Sequence, residues 1–87
     1  MKIYLVNEEG YGNWGLASSV HSAVEQLIKV GALNDDYALW DETSSSWKTL
    51  VELFGENWKD VISNFSLDTF RKYFGCINLY EYDLDVF

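Results

Sequence analysis

The 87-residue chain carries fourteen Asp and Glu against six Lys and Arg, a formal charge of -8 at pH 7. Its 48% hydrophobic and 17% aromatic content excludes a disordered acidic tail, because such tails lack the apolar surface needed to offset chain entropy. The charge balance also argues against direct nucleic-acid binding, since phosphate neutralisation needs a basic face.

Length leaves room for one domain, expected over residues 1–87. Cys76 is the sole cysteine, so neither an intrachain disulfide nor a thiolate zinc site can form. Next to Ile77 it is expected to be a small buried hydrophobe. The N-terminal apolar run is too short for a secretory signal, and no stretch approaches the ~18 apolar residues of a membrane span. A cytoplasmic protein is expected.

Lys2-Ile3-Tyr4-Leu5-Val6 is β-rich and apolar on both alternating faces, which suits a central strand. Glu8-Glu9-Gly10-Tyr11-Gly12 supplies turn chemistry, and 13–17 can return as a second strand with Trp14 and Leu16 on one face. Ser18 and Ser19 are N-cap candidates for a helix. Its stripe is Val20, Ala23, Val24, Leu27 and Ile28, and Gly31 is the expected stop.

Tyr37 to Trp40 reads as a short strand or an extended linker, and 43–46 as a polar break holding helix caps. Trp47, Leu50, Val51 and Phe54 then repeat at helical spacing, continued by Trp58, Val61, Ile62 and Phe65. Two helices meeting at Gly55 are favoured over one. Ser66 caps a further short helix, Leu67 to Phe74, ended by Gly75. From Asn78 to Phe87 the chain alternates: Tyr80, Tyr82, Leu84 and Val86 are expected inward, Glu81, Asp83 and Asp85 outward. The expected class is α+β: a small antiparallel sheet, made of the N-terminal hairpin and the C-terminal strand, packed with three to four helices.

These segments resemble small uncharacterised proteins of phages and mobile elements of Gram-positive bacteria. The resemblance rests on the hairpin at Lys2-Ile3-Tyr4-Leu5-Val6, the helix start Gly15-Leu16-Ala17-Ser18-Ser19 with Ala23, and the strand Tyr80-Glu81-Tyr82-Asp83-Leu84-Asp85. Residues 33–75 depart from that pattern as a longer helical insertion. The run Leu33-Asn34-Asp35-Asp36-Tyr37-Ala38-Leu39-Trp40-Asp41 is similar to a segment of ArdA-type antirestriction proteins, which are acidic DNA mimics. Both resemblances imply a phage-encoded function directed against bacterial defence.

No standard catalytic set appears, and neither a catalytic residue, a metal ligand set nor a cofactor is assigned. Gly10-Tyr11-Gly12-Asn13-Trp14-Gly15 spells G-x-G-x-x-G, but Glu8 and Glu9 would repel a phosphate and the helix begins only after Gly15. A glycine-rich hairpin turn is the plainer interpretation. His21 is the sole histidine and is expected at the surface. Asn34-Asp35-Asp36 lacks the ligand spacing of a calcium loop.

The acidic strand is the most suggestive feature. Glu81, Asp83 and Asp85 would recur about every 6.7 Å along one face, imitating a phosphate backbone to a basic groove. Its plainer role is a solvated outer face that keeps a sheet edge from aggregating. Tyr11, Trp14 and Trp40 lie near turns beside Glu8, Glu9, Asp35, Asp36, Asp41 and Glu42. Such a mixed face suits a partner rich in Arg and Lys. The expected function is therefore an inhibitor that binds a basic host protein, a nucleic-acid-binding nuclease or effector, without binding nucleic acid or membrane. The alternative is an adaptor or homodimer that uses its aromatic face, and a small enzyme is the third and least favoured class.

Overall fold

The computed structural model describes residues 1–84. Two strands open the chain, β1 (Lys2–Glu8) and β2 (Gly12–Ala17), followed by α1 (Val20–Lys29). A second hairpin, β3 (Ala38–Asp41) and β4 (Ser46–Thr49), leads directly into α2 (Leu50–Phe54). Two more helices, α3 (Trp58–Ser63) and α4 (Leu67–Tyr73), precede the last strand, β5 (Ile77–Asp83). The larger sheet is antiparallel in the order β2-β1-β5, so β1 is central as its two apolar faces require. The class is α+β.

Local chemistry accounts for the helix ends. The Ser19 hydroxyl accepts from the Ser22 backbone N–H at 3.1 Å, and Gly31 follows the C-cap at φ 80°. Thr49 and Glu52 form a reciprocal capping box at the start of α2. Gly55, at φ 85°, separates α2 from α3 because few side chains tolerate that conformation. Ser66 caps α4 through the Thr69 N–H at 3.2 Å.

The helices cover one face of the three-stranded sheet. Val24 and Leu27 from α1, Trp58 and Ile62 from α3, and Phe70 and Phe74 are buried together with Val6, Ala17, Ile77 and Leu79 from the strands. Cross-strand partners share a face, so the register Val6↔Leu79 and Glu8↔Ile77 turns Ile77 and Leu79 inward with Val6. The sheet edges are partly closed by side chains. Gln26 Nε2 donates to the Leu16 carbonyl at 2.6 Å, and Arg71 donates to the Leu79 carbonyl at 2.9 Å.

Four expectations are corrected. Tyr80 and Tyr82 do not face the core; they are 47% and 53% exposed on the opposite face, because Leu79 and Ile77 take the buried phase of β5. Glu81 and Asp83 therefore share the inner phase, beyond the reach of the helices, and are exposed. Trp47 is not part of a helical stripe. It lies in β4, 67% exposed, since the polar run at 43–46 forms the hairpin turn and the first residue of β4 rather than a helix start. Cys76 is exposed, as it sits in the bend before β5 and Ile77 takes the buried position. Asp85 and Val86 lie outside the described residues.

Candidate functional site

The acids of β5 are engaged within the chain. Lys2 Nζ lies 3.1 Å from Glu81, and the N-terminal amine lies 3.5 Å from Asp83 Oδ1. The hydrogen bond to Glu81, with the charge of that carboxylate, holds the Lys2 ammonium above its ordinary pKa of 10.5. This end of the sheet is thus a cross-strand arrangement of both charges rather than a bare negative row.

The opposite end of the same inner face is different. Glu8 closes β1 with only 8% of its surface exposed. The register of β1 with β2 slips between Val6 and Asn7, a bulge that inserts Trp14 between Gly15 and Asn13. The indole N–H of Trp14 donates to Glu8 Oε1 at 3.0 Å, so Trp14 does not share the orientation of Leu16 expected from simple alternation. Gly12 stands directly opposite Glu8, at φ 102°, a backbone conformation that favours glycine.

A cleft of about 360 Å³ opens there, lined by Glu8, Tyr11 and Trp14 from the first hairpin and by Asn34 and Tyr37 beyond α1. Burial raises the Tyr37 phenol above its ordinary pKa of 10.0, with smaller contributions from Cys76 and Glu8. Glu9, exposed beside the cleft, is anchored through its backbone N–H to the Cys76 carbonyl at 2.9 Å. Asp35 and Asp36 follow Asn34. Asp35 has a structural bond: its Oδ1 accepts from the indole N–H of buried Trp58 at 2.7 Å. The Asp36 side chain is exposed, while its backbone N–H donates to Asn34 Oδ1 at 2.9 Å.

Trp40, Asp41 and Glu42 belong to a separate groove of about 390 Å³, completed by Thr43, Lys72 and Tyr73. Trp40 meets Trp47 edge-on, with centroids 5.5 Å apart, which is the cross-strand pair that gives the small hairpin its apolar face. Asp41 is held below its ordinary pKa by the Ser44 hydroxyl, then by Lys48 at 3.3 Å and the Thr43 N–H. Glu42 is exposed.

The expected binding residues thus fall into three places. Glu8, Tyr11 and Trp14 converge on one cleft; Trp40, Asp41 and Glu42 share a second groove; Glu81 and Asp83 stand at the far end of the sheet. Missed from sequence were Tyr37 and Asn34 as walls of the cleft, because no local pattern pairs positions so far apart. Also missed was the uncovered face of the sheet, where Leu16, Leu5 and Tyr80 lie abreast and Ile3 adjoins Tyr82. The two-sided apolar pattern of 2–6 was its only signal.

Exposed His21 pairs with Glu25 at 2.8 Å along α1. Among the described residues, no group of three or more His, Cys, Asp or Glu could hold a metal ion, and no helix is long and apolar enough to cross a membrane. No protein-family model, curated protein or solved structure matches the chain.

Proposed function

We propose that the chain is a non-catalytic inhibitor that docks on the basic, nucleic-acid-binding surface of a bacterial defence nuclease, of the anti-CRISPR or antirestriction kind. The setting is the host cytoplasm, with a phage or mobile element as the source. One observation carries the reading. Among the described residues Glu9, Asp36 and Glu42 have no cationic group within 4.0 Å, and each lies in a stretch that also exposes a ring or borders a cleft lined by one. Charge left uncompensated within the molecule is available to steer and orient a basic partner. The acids of β5 contribute less, because Lys2 and the N-terminal amine already neutralise them.

Affinity capture from a bacterial host lysate at about 50 mM and about 500 mM salt tests it, since screening shortens steeply over that range. A nuclease retained only at low salt is expected. Recovery of no nucleic-acid-binding protein at low salt would end the proposal. Joint reversal of Glu9, Asp36 and Glu42 to Lys should lower affinity by about ten-fold or more.

A second reading is favoured by the uncovered face of the sheet. Ile3, Leu5, Leu16, Tyr80 and Tyr82 share it without a charged side chain among them, on a molecule of charge -8. That is where a second copy could meet the first without bringing like charges into contact. A homodimer that sediments as a monomer after Leu16→Glu, with binding insensitive to salt, would support this reading over the first.

A further inference from the structure

We infer that the cleft at the end of β1 receives the side chain of one arginine presented by a protein partner. The central observation is a buried carboxylate without a counter-ion. Glu8 is 8% exposed, and among the described residues no Lys, Arg or His nitrogen lies within 4.0 Å of it. A carboxylate shielded from water is costly unless hydrogen-bonded and paired, and an incoming cation supplies what the chain does not. Its hydrogen bond to Trp14 occupies one position on Oε1 and leaves room at the other oxygen.

The surroundings select the kind of cation. Tyr11, 78% exposed, and Trp14, 37% exposed, stand at the mouth, with Tyr37 deeper. Aromatic faces attract cations, and a planar, weakly hydrated guanidinium stacks on them better than a compact ammonium does. No cationic side chain of the described residues lines the cleft, so nothing there repels the ligand. Exposed Glu9 beside the mouth adds attraction at longer range.

Rigidity favours binding as well. The Trp14–Glu8 bond, the bulge and the Glu9–Cys76 backbone bond fix the carboxylate before any ligand arrives. The inference deepens the inhibitor reading and rests on it only for the arginine being carried by a protein.

The test titrates the ¹⁵N-labelled protein with N-acetyl-arginine amide and, separately, N-acetyl-lysine amide. The Trp14 indole N–H and the Gly31 amide should shift saturably with the arginine compound, and several-fold less with the lysine compound at equal concentration. Glu8→Gln keeps an acceptor for Trp14 but removes the charge, and should weaken binding by about ten-fold or more. Tyr11→Ala, at a largely exposed position, should weaken binding several-fold with the remaining spectrum unchanged. Absence of a saturable shift, equal binding by wild type and Glu8→Gln, or equal binding of the lysine compound would overturn the assignment. Saturable arginine binding with an empty capture column would end the inhibitor reading and leave the pocket. A captured nuclease with no saturable shift would do the reverse.

Discussion

Glu8 and the Glu81–Asp83 pair occupy opposite ends of one face of the same sheet, yet their surroundings differ. At one end helices and the 34–37 segment close over the sheet, and a carboxylate is buried against an indole with no cation beside it among the described residues. At the other end the strands extend past the helices, and each acid lies beside a positive group in solvent. Acidic residues on one pleat therefore acquire different roles from what covers them. The exposed pairs are screened by water, whereas the covered carboxylate concentrates its field in a small volume.

The largest expected effect contrasts the covered and bare parts of β5. Leu79→Ala should cost about 2–5 kcal/mol of unfolding free energy by chemical denaturation, since it removes a fully buried side chain. Tyr82→Ala, on the uncovered face, should change stability by about 0.5 kcal/mol or less in a monomer. Comparable losses at both positions would mean that the outer face is covered in solution, as the homodimer reading requires.

Next in size is the bond that ties the acidic 34–36 turn to the core. Asp35→Ala removes the acceptor of the Trp58 indole and should cost about 1–3 kcal/mol. A Trp58 indole resonance that remains unchanged in this variant would show that the bond is not formed in solution. Ser19→Ala should cost about 1 kcal/mol through loss of the α1 cap, read as a lowered denaturation midpoint.

The smallest effect is the pH dependence. Asp41 and Glu52 are both held below their ordinary values of 3.8 and 4.5, Asp41 chiefly by the Ser44 hydroxyl and Glu52 by the Thr49 backbone. Folding is thus favoured above those values, and the contribution is lost as pH falls through the lowered ones. Stability should decline modestly below about pH 4, and less steeply in Ser44→Ala. Lys2 and Tyr37 are raised, so their contribution is present below about pH 10 and lost as pH rises beyond.

Much of the architecture was legible before the tertiary arrangement was known. Ser19, Gly31, Gly55 and Ser66 mark helix ends through chemistry that acts within a few residues, and the stripe through Val24 and Leu27 needs only a helical period. The central place of β1 followed from its two apolar faces. Trp47 misled because a residue before a short helix can continue a helical spacing while belonging to a strand. Its pairing with Trp40 is a cross-strand contact that spacing cannot reveal.

Composition and local pattern therefore determined an acidic, aromatic α+β chain with its hairpin, its helices and its final strand. Only the tertiary structure decided which phase of β5 turned inward, because aliphatic and aromatic residues alternate there and the covering helices choose between them. It alone decided that the acids of β5 would meet Lys2 and the N-terminal amine, and that Glu8 would meet no cation among the described residues. It also brought Tyr37 across α1 to the first hairpin, enclosing a charge that the sequence left looking like one of many. Position along the chain sets which groups exist, whereas solvation and partners, which only folding assigns, set what their charges can do.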